Sequence, residues 1–208
     1  MSITRGLDVS GYDGVAPYMP TYVDLFARQL RKNYGYEEPG NGHATGPALW
    51  LINAGLPGST VDWGAQYAGQ YINPVRPDLV ILDFGMNDFW RLEPSRFGEY
   101  IQTIIRKVRS ANPAVEFLLL SNMQFDPDYI LPSDKNKGFY EANMAGYPIV
   151  LKQMEGRGIA SLDMHTLSGI LYQRKRAKDC LANPLHPNDW LARWYAQGMA
   201  ALLTHTIY

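Results

Sequence analysis

Short runs of consecutive apolar residues alternate along this chain with longer stretches in which apolar residues recur every three or four positions. The short runs, at 48–53, 79–84, 115–121 and 159–163, have the character of strands covered on both faces, as in a parallel sheet. The longer stretches, at 20–32, 60–72, 95–111, 137–155 and 188–203, have the period of amphipathic helices. Strand and helix in turn is the pattern of βαβ units, so the expected class is α/β. The architecture it suggests is a single-domain, three-layer α/β/α sandwich over 1–208 with a parallel, flavodoxin-like sheet. Pro77, Pro113 and the turn Gly156-Arg157-Gly158 punctuate the joins, and 124–136, with Pro127 and Pro132, reads as a longer loop.

Composition narrows the function classes. A chain of 208 residues with 46% hydrophobic and 19% charged residues has enough apolar material for one full-sized core. Its formal net charge of -1 argues against a nucleic-acid partner or an anionic membrane surface. No apolar run reaches spanning length and no signal peptide is seen, so no membrane span is expected and the compartment stays open. The basic run Arg174-Lys175-Arg176 with Lys178 reads as a solvated helix end. The one cysteine, Cys180, excludes an intramolecular disulfide framework and is expected to be a small semi-buried residue.

Four short tracts carry the chemistry. They are Ser2-Ile3-Thr4-Arg5-Gly6, then Asn53 to Thr60 ending Gly58-Ser59-Thr60, then Pro77 to Asp88 ending Gly85-Met86-Asn87-Asp88, and finally His186-Pro187-Asn188-Asp189. In this order they resemble the conserved blocks of the SGNH (GDSL-type) hydrolases, a superfamily of serine esterases, and together they span nearly the whole chain. The resemblance implies a carboxylic ester hydrolase that works through an acyl-enzyme, with Ser2 as nucleophile and His186 as general base. It implies an oxyanion hole formed by the backbone N–H groups of Ser2 and Gly58 and the side-chain amide of Asn87. Glycine at 58 leaves room for the backbone to approach substrate, and asparagine at 87 donates without a titratable charge. Asp88 is expected to be structural, accepting backbone N–H bonds that hold the loop.

The sequence departs from the family pattern D-x-x-H, in which an aspartate orients the histidine. Here the tract is Asn183-Pro184-Leu185-His186. Asn183 is the first choice for the orienting role, through its carbonyl on the Nδ1–H, with Asp179 or a backbone carbonyl as alternatives. His43, His165 and His205 read as loop or surface residues. Asp163 and His165 lack further ligands at a suitable spacing, so neither metal nor other cofactor is expected.

Trp63, Phe89, Trp90 and Trp190 follow closely on the blocks and are expected to wall the substrate pocket. For Trp190, a core position at helical spacing from Trp194 is an even alternative. By superfamily analogy the substrate is a small-molecule or glycan ester, with short acyl groups such as acetyl on carbohydrate favoured. A lipase or thioesterase type is the alternative, as is a catalytically impaired glycan-binding or flavodoxin-like phosphate- or flavin-binding module. An N-terminal-nucleophile hydrolase is set aside because its antiparallel layers do not match the alternation. Ser2 so near the start implies that the family's first strand is missing, through a start upstream of Met1 or a cut there. Circular permutation, with 204–208 returning as a strand, is the less favoured explanation.

Overall fold

The structure, a computed structural model, describes residues 1–38 and 46–204. His43, His205 and the proposed return strand beyond Thr204 lie outside the described residues. Along the chain the elements are α1 (Ser2–Arg5), α2 (Ser10–Asp13), α3 (Tyr22–Tyr34), α4 (Val61–Tyr71) and β1 (Leu79–Asp83). They continue with α5 (Pro94–Ala111), β2 (Glu116–Ser121), α6 (Lys137–Lys152), β3 (Ile159–Asp163), α7 (Met164–Tyr172), β4 (Leu181–Asn183), β5 (His186–Pro187) and α8 (Asp189–Thr204). The chain divides into two compact units, one made of Met1 and Gly58–Ala177 and the other of Ser2–Pro57 and Lys178–Tyr208.

The first unit contains the parallel sheet, in the order β1-β2-β3. Leu79 pairs with Glu116 and Asp83 with Leu120; Phe117 pairs with Ile159 and Ser121 with Asp163. Parallel neighbours cannot be joined by a tight turn, and the crossovers here are α5 and α6, as the alternating pattern requires. The central strand β2 is buried from Phe117 to Ser121, which explains why it reads as an unbroken apolar run. On α5, Phe97, Ile101, Ile104, Ile105 and Val108 form one buried stripe, and the helix packs on α4 and α6. Pro94 occupies its first turn, where a missing N–H costs nothing. At the other end Asn112 leaves the helix in an extended conformation ahead of Pro113, as the ring of a following proline demands.

The second unit packs α3 against α8, with Tyr22 and Tyr195 in contact at 5.2 Å between ring centroids. Thr21 starts α3 as its N-cap, accepting the Asp24 N–H at 3.2 Å. The short strands β4 and β5 pair antiparallel, and β5 leads directly into α8.

The class is α/β with a parallel sheet accompanied by helices, as expected. One expected strand does not form. Among the described residues, 48–53 join no sheet, and a bridge links Ala48 to Glu37. Trp50 and Ile52 are 78% and 63% exposed. A strand is a partnership between backbones, and an apolar pattern does not by itself supply the partner.

Candidate active site

Ser2 opens a single helical turn. Its carbonyl accepts the N–H groups of Gly6 and Leu7 at 3.0 and 3.1 Å, so the chain curls tightly behind the hydroxyl. Gly6 stands at φ +93°, and a Cβ there would lie 2.3 Å from the Thr21 Cγ2. Both the backbone conformation and the space therefore demand glycine. Gly6→Ala is expected to cost about 2 to 5 kcal/mol, summing backbone strain and overpacking, and to appear as a lower urea midpoint at unchanged slope. Asn53 supports the same turn, donating from Nδ2 to the Thr4 carbonyl at 2.8 Å and accepting the Gly55 N–H at 3.0 Å.

His186, on β5, faces this turn. Its Nε2 lies 2.6 Å from the Ser2 Oγ, so the two residues named from the first and last sequence blocks are brought together. Its Nδ1 lies 2.7 Å from Oδ2 of Asp8 and 2.9 Å from Nδ2 of Asn183. The carboxylate decides the tautomer. Oxygen lone pairs at 2.7 Å from a ring nitrogen require a proton between them, so Nδ1 carries the hydrogen and Nε2 is left to accept from the serine hydroxyl.

Asn183 does not make the bond expected of it. Its Oδ1 is turned to accept the Leu185 N–H at 2.9 Å, and its Nδ2 donates to Oδ2 of Asp8 at 2.7 Å. Exchanging the amide's oxygen and nitrogen would set an NH2 against an N–H and an oxygen against a carboxylate, losing both bonds. The carbonyl is thus unavailable to the Nδ1–H, and the expectation for Asn183 is corrected on that point. The backbone carbonyl of Asp179, the alternative, accepts from Asn188, whose Oδ1 in turn caps α8 through the Trp190 and Leu191 N–H groups, both at 3.1 Å.

Asp8 was not singled out from the sequence. The only signal pointing to it is indirect: an asparagine at 183 calls for a carboxylate from elsewhere, and Asp8 follows the nucleophile tract by a few residues. Its backbone sits at φ 64°, a conformation uncommon outside glycine and asparagine or aspartate.

The remaining block residues lie in the other unit. Gly58 is exposed at φ +74°, with open space where a Cβ would be. Asn87 donates from Nδ2 to the Ser59 carbonyl at 2.9 Å, tying its loop to the turn after Gly58, and the same NH2 has a second hydrogen for another acceptor. Asp88 is fully buried and accepts the Val61 and Gly85 N–H groups at 2.9 and 3.0 Å, the structural role expected of it. Burial pushes its carboxyl up to about 6, against the pull of those two N–H groups and of the Arg91 guanidinium. Gly85 turns at φ +128° and faces the Asn122 Oδ1, where a Cβ would come within 2.8 Å.

The four aromatic candidates separate. Phe89 is 0% exposed, between the rings of Trp90, Phe125 and Tyr140, and so is a core residue and not a pocket wall. Trp90 is half-buried, with Tyr129 and Tyr140 at its edge. Trp63 is half-buried in a row with Tyr67 and Tyr71 along α4. Trp190 is half-buried and tilted against Trp194 on α8 at 5.2 Å. Cys180 is completely buried. Among the described residues no group of three or more His, Cys, Asp or Glu is arranged to hold a metal ion, and no helix is long and apolar enough to cross a membrane.

The GDSL-like Lipase/Acylhydrolase family matches residues 2–194, a stretch that includes Ser2, the asparagine loop and His186. The chain belongs to this family. Solved structures agree on the fold of a GDSL-like chain. A two-domain esterase active on acetylated mannans superposes with a TM-score of 0.70 at 21% identity, over 99% of this chain and 48% of its own. The GDSL-like chain thus spans about half the length of that relative. A carbohydrate esterase family 3 structure from Talaromyces cellulolyticus gives 0.64 at 14% identity, over 99% of this chain and 94% of its own. A catalytic mutant of an acetylxylan esterase from Geobacillus stearothermophilus gives 0.66 at 16%, over 88% and 80%. No curated protein sequence matches this GDSL-like chain significantly.

Proposed function

We propose that this protein is a serine esterase that removes short acyl groups, acetyl above all, from carbohydrate. The observation that carries the reading is the 2.6 Å contact between Ser2 Oγ and His186 Nε2, with the proton of the imidazole held on the opposite nitrogen. In this arrangement the hydroxyl donates to a base already in the accepting tautomer.

Ser2 Oγ attacks the ester carbonyl carbon while its proton passes to His186 Nε2. The carbonyl oxygen becomes an oxyanion, and collapse of the tetrahedral intermediate breaks the bond to the alcohol oxygen, which takes the proton from Nε2. Water then attacks the acyl-Ser2 ester with His186 again as base, the bond from the acyl carbon to Ser2 Oγ breaks, Oγ takes back the proton from Nε2, and the carboxylic acid leaves. The Ser2 and Gly58 backbone N–H groups and the Asn87 amide are assigned to the oxyanion, on the strength of their block positions and the bond that ties Asn87 to the Gly58-Ser59 turn. The half-buried indoles of Trp63, Trp90 and Trp190 are of the residue type that stacks on sugar rings. Carbohydrate as the alcohol portion draws support from the acetylated mannans and acetylxylan on which the structural relatives act.

Acetate release from acetylated xylan and mannan, set against hydrolysis of p-nitrophenyl esters from acetate to palmitate, tests the proposal. Turnover is expected on acetylated glycan and to fall steeply with acyl length. Preference for palmitate would replace this reading by a lipase. Asn87→Ala is expected to lower kcat on the order of a hundredfold to a thousandfold with KM little changed, since the donor acts on charge that develops in the transition state.

A further inference from the structure

We propose that Asp8 is the positioning residue for His186, supplying the carboxylate that the family carries three residues before the histidine, and that Asn183 serves to hold Asp8. This rests on the esterase reading above and concerns how its base is set.

The geometry around Nδ1 has two neighbours of opposite effect. Asp8 Oδ2 at 2.7 Å accepts the ring N–H, and its negative charge favours the imidazolium that forms when Ser2 gives up its proton. The Asn183 amide nitrogen, at 2.9 Å, presents hydrogens and therefore the positive end of a dipole to the same atom. Left alone with Nδ1, that NH2 would donate to it. The ring proton would then sit on Nε2, pointing at the serine hydroxyl, and the base would be in the tautomer that cannot accept. Asp8 reverses this by taking both the ring N–H and an Asn183 hydrogen on one oxygen, the latter at 2.7 Å.

Asp8 is also held from its own side. Two residues on, Ser10 gives its N–H and its hydroxyl to the two carboxylate oxygens of Asp189 at 2.8 and 2.6 Å. Asp189 begins α8, three residues after His186, so the loop that carries the carboxylate is pinned to the segment that carries the imidazole. The left-handed backbone at Asp8, φ 64°, is the kind of strained conformation that persists only where surrounding bonds enforce it. A substitution that merely disturbed the loop would not change the ring's proton, which gives the test its discrimination.

The test uses the full chain and three variants. Asp8→Ala is expected to lower kcat on p-nitrophenyl acetate on the order of a thousandfold, with KM changed little. The exchange Asp8→Asn with Asn183→Asp returns a carboxylate to Nδ1 from position 183 and is expected to recover at least tenfold over Asp8→Ala. Nitrogen-15 shifts of the ring, assigned among the four histidines by the signal lost in His186→Gln, read the tautomer without turnover. Wild type is expected to carry the proton on Nδ1 and Asp8→Ala on Nε2. If Asp8→Ala does not fold, Asp8→Asn, of nearly the same shape, replaces it in both arms. Retention of kcat within about threefold, an unchanged tautomer in a folded variant, or an exchange no faster than the single variant overturns the role of Asp8. A wild-type protein with no ester turnover on any acyl length defeats the esterase reading instead, and the tautomer arm still decides Asp8.

Discussion

Ser2→Ala is expected to lower ester turnover on the order of 10⁴ to 10⁶ in kcat, leaving the residual rate that binding and oxyanion donors supply. The expectation follows from the placement of the two groups that would share the proton. The hydroxyl is the group placed 2.6 Å from the histidine nitrogen, and the Cys180 thiol is completely buried. His186→Ala is expected to cost nearly as much, because an unassisted serine hydroxyl at neutral pH is a weak nucleophile. The two losses should not add. A serine without its base and a base without its serine disable the same proton transfer, so the double variant is expected to match the singles within a few-fold. Kinetics on p-nitrophenyl acetate, with fluorophosphonate labelling to report Ser2 directly, measure all three. Full activity in Ser2→Ala would end the mechanism, and losses that multiply would show that the two residues act in separate steps.

The second large effect concerns stability and pH. Asp88 is fully buried, and burial pushes its carboxyl from 3.8 up to about 6, the Asp62 charge adding to the shift and Arg91, at 3.7 Å, opposing it. The folded chain therefore binds a proton on Asp88 more readily than the unfolded chain does. Its contribution to stability is fully present below the unfolded value of 3.8 and is lost as pH rises through about 6. The shift corresponds to about 3 kcal/mol. Asp88→Asn removes the titration, so wild type is expected to lose about 3 kcal/mol relative to the variant between about pH 4 and about pH 7. Urea unfolding across that range measures the difference. Parallel stability curves for the two proteins would mean that Asp88 is ionised throughout, its two backbone N–H bonds outweighing burial.

The features legible in the sequence share a local origin. The helix period on α5 and the unbroken apolar run of β2 arise from backbone geometry within a few residues, and both segments form within a residue or so of the expected bounds. Ser2 and His186 were legible by another route, as members of short tracts whose order matches a known family. Their contact, between residues 184 apart, follows no pattern that either tract contains alone.

What the chain pattern could not convey depended on partners. The apolar run at 48–53 looks like a strand, but strand formation needs a second backbone, and among the described residues none forms a ladder with it. Phe89 and Trp90 are neighbours of the same type in one loop, yet one is sealed among three rings and the other is half-buried, since burial is set by what packs from afar. At 183 the residue type signalled that a carboxylate was lacking without saying where one would come from. Asp8 became that candidate only once the turn after Ser2 and the β4–β5 pair were folded together, bringing its oxygen to 2.7 Å from Nδ1. The local alternation of polar and apolar residues thus carried the fold class, and the ordered blocks carried the family. The identity of the group beside the imidazole was left to the folded chain, because hydrogen bonds between distant side chains depend on positions in space and leave no periodic trace in sequence.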